Sequence, residues 1–125
     1  MAGQDGVVDM EEKVMVSYDE EFDTLYLHRP GVRTQGAVEI GDFVIEFSSQ
    51  LQKAVAVEIL NASRVLSEVS GQEITPTFLS HIVKAGLRTV HRADAVYVLY
   101  SITWAYQQQE ECLAGTITVP LRVRA

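Results

Sequence analysis

One cysteine, one tryptophan and three prolines are all that 125 residues hold of three residue types that often dictate architecture. A lone Cys112 excludes an internal disulfide framework and a thiolate metal cage, and it fits a reducing compartment. An excess of positive charge is also missing. Nucleic-acid and anionic-lipid surfaces are bound by Lys and Arg that displace counterions, so neither is an expected partner. No apolar run approaches the length of a membrane span, and MAGQDGVVDMEE lacks the basic start and apolar centre of a signal peptide, which makes the cytoplasm the expected location. There is no glycine-rich phosphate loop, no H-E-x-x-H and no G-x-S-x-G. No cofactor is expected.

What remains is an ordinary globular composition, 47% hydrophobic and 22% charged, in a chain of single-domain size. The formal charge of -7 is unevenly placed. Residues 1 to 23 hold Asp5, Asp9, Glu11, Glu12, Asp19, Glu20, Glu21 and Asp23 against Lys13 alone, while acids and bases balance over the rest. Residues 1–12 bury too little apolar surface to offset ordering entropy and read as a disordered acidic arm. Such an arm repels phosphate and can steer a basic protein partner. Residues 13–125 read as one folded domain, with a boundary in character near residue 70.

From Val14 the pattern acquires a period of two. Val14, Val16 and Tyr18 form one phase of a strand, and YDEEFDTLYL then places four carboxylates where a hairpin turns. TLYLHR, FVIEFS and AVAVEIL follow as strands that align Leu25, Leu27, Phe43, Ile45, Phe47, Val55, Val57 and Ile59 on one apolar face. PGVRTQG reads as loop. NASRVLSEVSG has the spacing of a short amphipathic helix, with Asn61 as cap and Gly71 as stop. TPTFLSHIVKAG repeats that plan, with Thr75 as cap, Pro76 in the first turn and Leu79, Ile82 and Val83 on one stripe. AVYVLYSITWAY is apolar on both phases and belongs in mid-sheet or at an interface. GTITVPLRV alternates, and Pro120 marks it as an edge strand.

Within this pattern Tyr18, Asp19, Asp23, Leu25 and Tyr26, then Gly41 and Asp42, then Glu58-Ile59-Leu60-Asn61-Ala62-Ser63 stand in a definite order. That order resembles the small, mostly prokaryotic family known as Domain of Unknown Function 2283, over residues 14–69. The resemblance implies a four-stranded antiparallel meander running into a helix, and it implies no reaction. SSQLQK replaces the family's Asp-Gly turn, Ala56 stands where members have Gly, and residues 72–125 lie outside the likeness. Some relatives occur beside small basic toxin-like proteins, which implies an antitoxin-like binder.

The expected fold is α+β: ββββ-αα-ββ in a single, mainly antiparallel six-stranded sheet with both helices on one face. The other face carries Tyr26, His28, Glu46 and Glu58, a candidate ligand-binding set, since carboxylates beside an imidazole can shift one another's pKa or hold a divalent metal. No local ligand spacing supports a metal there, and no metal is expected. His81 and His91 read as surface residues, and Ser63 as part of a helix cap without a catalytic base. Cys112, among acids, gains no reactivity. Tyr26, Val44, Leu60, Tyr97 and Trp104 are left needing cover, which predicts an interface and a homodimer. The leading expectation is therefore a non-enzymatic, self-associating interaction domain. Its rival is a small-ligand or metal-dependent enzyme using His28, Glu46 and Glu58.

Overall fold

The computed structural model describes residues 13–48 and 53–121. The acidic arm lies outside them. Ten elements follow in chain order. Strands β1 (Met15–Asp19), β2 (Thr24–His28), β3 (Gly36–Ile40), β4 (Phe43–Phe47) and β5 (Ala54–Ile59) come first. Helices α1 (Ala62–Ser70) and α2 (Pro76–Leu79) come next, and strands β6 (Ile82–His91), β7 (Ala95–Tyr106) and β8 (Gln109–Pro120) complete the described chain.

Alternating apolar residues decide how the first strands assemble. Leu25 and Leu27 are fully buried on β2, and antiparallel pairing sets them opposite Ile59 and Val57 of β5. Those two residues in turn face Phe43 and Ile45 of β4. The result is a five-stranded antiparallel sheet in the order β1-β2-β5-β4-β3, with β5 at its centre. The last three strands form a separate antiparallel sheet, β6-β7-β8. The single six-stranded sheet expected from the sequence is thus corrected to two sheets of five and three strands. The coarse α+β character stands, with two small helices on a mostly antiparallel β framework.

Packing explains the split. The apolar side of the large sheet is too wide for two short helices to roof, since α2 is one turn long. Its cover is completed by Val96, Val98, Tyr100, Ile102 and Trp104 of β7 with Ile117 and Val119 of β8, which join Leu25, Ile45, Val57, Leu66 and Leu79 in one continuous core. Each such side chain stabilises the fold by roughly 1.5–3 kcal/mol. The doubly apolar β7 is central in its sheet, and β8 with Pro120 is an edge strand, both as the pattern predicts. Tyr100 stands opposite Gly115, and a Cβ there would collide with the tyrosine ring. A glycine in mid-strand thus makes room for an aromatic side chain.

Two elements differ from expectation. The segment read as a second amphipathic helix stops at Leu79, and Ile82–His91 is instead a strand of 10 residues. A β-bulge at Val83 is the physical reason: the register jumps from Ile82↔Trp104 to Lys84↔Thr103, so the inward-facing Ile82 and Ala85 are three residues apart, as on a helix. Gly36–Ile40, read partly as loop, pairs with β4 as an edge strand. Its residues up to Glu39 are exposed on both faces, so they show no alternation to recognise.

Candidate functional site

The acids of YDEEFDTLYL divide between structure and solvent. The Asp19 carboxylate accepts from the backbone N–H groups of Glu21 and Phe22 at 3.0 and 3.3 Å, which fixes the turn. Asp23 takes a left-handed backbone, φ 54°, and reaches the start of α1. Its carboxylate accepts from the Ser63 N–H at 3.1 Å, the Ser63 hydroxyl at 2.7 Å and the Tyr18 hydroxyl at 2.6 Å. Its carbonyl accepts from the Ala62 N–H at 2.8 Å. Asn61, the cap expected from the sequence, makes no side-chain cap bond. Asp23 therefore caps the helix from a distant hairpin, satisfying free N–H groups and opposing the positive helix end. Burial, then the bond to Asp23 and the charges of Asp23, Glu20 and Asp19, push the Tyr18 hydroxyl pKa well above its ordinary value. Ser63 is held by the cap. Glu20 and Glu21 remain exposed.

The proposed ligand set does share one surface. Register and alternation place Ser17, Tyr26, Glu58, Val44 and Glu39 in one row across the outer face of the large sheet, and Met15, His28, Ala56, Glu46 and Ala37 in the next. The Tyr26 and His28 rings stack at 4.8 Å with 22° between their planes. Ala56, the cross-strand partner of His28, is only 1% exposed. Burial first, then the charges of Glu46 and Glu58, raises the Tyr26 pKa, so that its hydroxyl stays neutral and able to donate. Among the described residues no three His, Cys, Asp or Glu side chains converge in a metal-binding arrangement.

The residues expected at an interface disperse. Tyr26 and Val44 are half-buried in the first row on either side of Glu58, and Leu60 is exposed just beyond β5. Tyr97 is half-buried on the outer side of the small sheet, opposite Val90 and Thr118. Trp104 is 3% exposed and packs inside the core against Phe78, with ring centres 5.8 Å apart. His81 is exposed, its Nδ1 2.6 Å from the Thr77 carbonyl and its ring edge-on to Tyr106. Cys112 is exposed within β8. A cleft of about 210 Å³ is lined by Val16, Ser17, Tyr18, Glu20, Leu79, Ser80 and Ile82, and Tyr26, His28, Glu46 and Glu58 are not among its lining.

Arg29 was missed by sequence reasoning. It is 7% exposed at the end of β2, where Nε donates to the Ala54 carbonyl at 3.3 Å and the guanidinium donates to the Leu87 carbonyl of β6. Ala54 N–H also donates to the Thr89 hydroxyl of β6 at 2.9 Å. A buried arginine thus bridges the two sheets. The lone base in TLYLHR gave no signal of this, because its partners are backbone carbonyls far along the chain.

Comparison with known proteins finds no family model that matches the chain, and no match among curated proteins or solved structures. Membership of the Domain of Unknown Function 2283 family is therefore corrected: no family match supports it. The antitoxin-like reading that came with it loses its ground. What the Tyr18, Asp23, Asn61 and Ser63 pattern reflects is a hairpin loop tied to a helix start, a physical requirement that needs no common ancestry. Among the described residues no helix is long and apolar enough to cross a membrane.

Proposed function

We propose that the chain is a non-enzymatic protein-interaction domain, and that the outer face of the large sheet receives the basic side chains of a protein partner. The observation that carries this reading is the make-up of that face. Its strand residues include Asp19, Glu39, Glu46 and Glu58 and no Lys or Arg, beside the stacked Tyr26–His28 pair. Glu46 and Glu58 are half-buried and make no ion pair among the described residues, so their charge is unspent. Half-buried carboxylates flanking an aromatic ring suit a guanidinium or ammonium group, which gains charge-assisted hydrogen bonds and a ring face together. Tyr26, His28, Glu46 and Glu58 stand on an open sheet face and do not line the cleft, which favours docking over turnover of a small substrate.

An arginine-rich peptide is the direct probe. In the full-length chain, Glu46→Gln with Glu58→Gln is expected to weaken peptide binding by about tenfold, since each half-exposed charge contact is worth about 0.5–1 kcal/mol. Titration calorimetry reads the change. Equal affinity for both proteins would sink the proposal, and the acidic arm, present in both, cancels from the comparison.

A further inference from the structure

The small sheet has an outer face of its own, and its charge is of the opposite sign. Alternation along β6, β7 and β8 turns Lys84 and Arg88 outward beside Tyr97, Leu99, Thr103 and Thr116. Lys84 and Arg88 are exposed, and neither makes an ion pair among the described residues. The outward-facing acid of that sheet, Glu110, stands at the far tip beside the β7–β8 turn. One molecule therefore presents an acidic sheet face and a basic sheet face, each part apolar, on opposite sides of a shared core.

We infer that the basic partner of the acidic face is a second copy of this chain, docked through its Lys84 and Arg88 face. The inference rests on the interaction reading above and names the partner. Self-contact of two acidic faces would set Glu39, Glu46 and Glu58 of one copy against the same residues of another, an arrangement that like-charge repulsion disfavours. Head-to-tail contact brings opposite charges together and has no such cost. Glu46 and Glu58 sit on adjacent strands two residues out of step, about 8 Å apart, and Lys84 and Arg88 are about 13 Å apart along one strand. Long basic side chains span the difference. A face five strands wide and five residues tall offers on the order of 400 Å² per partner, which places the contact in the weak, reversible class. Because the contact is heterologous, each copy keeps one face free, and assembly continues past the dimer unless it closes into a ring.

Sedimentation of the full chain between 10 and 500 µM, concentrations of the order such a small contact requires, tests this. Wild type is expected to gain weight-average mass with concentration. Lys84→Glu with Arg88→Glu, and separately Glu46→Lys with Glu58→Lys, are each expected to stay monomeric, while an equimolar mixture of the two regains association. Restoration also proves that both variants are folded. Salt is a poor substitute for this test, since each copy carries -7 overall and screening relieves that repulsion as it weakens the contact. A wild type that stays monomeric throughout, a Lys84/Arg88 variant that associates like wild type, or a mixture that fails to recover would each overturn the inference. If peptide binding still depends on Glu46 and Glu58 when self-association fails, only the choice of partner falls. If it does not, the reading of the acidic face falls with it.

Discussion

At the scale of single residues, the acidic loop shows how one carboxylate can outweigh its neighbours. Asp19, Glu20, Glu21 and Asp23 look alike in the sequence, yet Asp23 alone gathers the helix start, a serine hydroxyl and a tyrosine hydroxyl. Asp23→Ala is expected to lower stability by about 2 kcal/mol, the loss of a cap together with buried hydrogen bonds, whereas Glu20→Ala stays within about 0.5 kcal/mol. Urea denaturation midpoints measure both. The Tyr18 hydroxyl carries a pH signature. Its pKa in the fold is raised by burial and then by Asp23, so the fold favours the protonated form. The stability this adds is complete below the unfolded value of about 10 and is lost as pH rises from there toward the higher folded value. Between pH 8 and pH 11, the melting temperature of wild type is expected to fall further than that of Tyr18→Phe. Tyr26 and Tyr100 are raised as well, but they contribute equally to both proteins. Parallel curves for the two proteins would show that Tyr18 is not held as described.

At the scale of elements, legibility followed the regularity of burial. Strands β1 and β2 alternate in burial because one face meets the core, β5 shows itself as an apolar run buried from Ala54 to Val57, and α1 shows its stripe of Ala62, Val65 and Leu66. Strand β6 was hidden by its own bulge, which gives Ile82 and Ala85 helical spacing, and Pro76 with Thr75 supplied a genuine helix start for one turn only. Strand β3 was hidden by exposure, although Gly41-Asp42 between Val38-Glu39-Ile40 and Phe43-Val44-Ile45 is a turn signal that could have found it. The candidate ligand face was legible because it needs only strand parity. Arg29 and the Asp23 cap were not, because each joins segments far apart in the chain. The β7–β8 turn is an element that departs from its preferred chemistry: Gln107 and Gln108 both hold positive φ, 52° and 64°, where Asn-Gly is favoured. Replacing the pair by Gln107→Asn and Gln108→Gly is expected to stabilise the protein by about 1–2 kcal/mol, given a cost near 1–2 kcal/mol for each left-handed residue with a bulky side chain. A thermal melt that does not move upward would mean the hairpin tip relaxes freely.

At the scale of the whole molecule, the two sheets act as one body because their apolar faces share a core and because Arg29 ties β2 and β5 to β6 across the seam. Carbonyl oxygens in the interior strengthen their hydrogen bonds to a cation, and the same surroundings make loss of the cation costly to the groups left behind. Arg29→Met keeps the volume of the side chain and removes its donors. It is expected to cost about 2–4 kcal/mol, with Ala54 and Leu87 losing a donor at once. The form of the transition matters as much as its midpoint. A core contributed by both sheets predicts that wild type and variant each unfold in one cooperative step, seen at the same denaturant concentration by Trp104 fluorescence and by far-ultraviolet circular dichroism. Trp104 reports on the small sheet and its α2 contact, while the backbone signal reports on the strands of both sheets together. If the Arg29→Met variant instead shows Trp104 unfolding at one concentration and the backbone signal at another, the sheets are separable units held together mainly by this arginine. The opposed acidic and basic faces would then belong to two bodies free to reorient, and the head-to-tail geometry proposed for self-association would lose the rigid frame that keeps those faces apart.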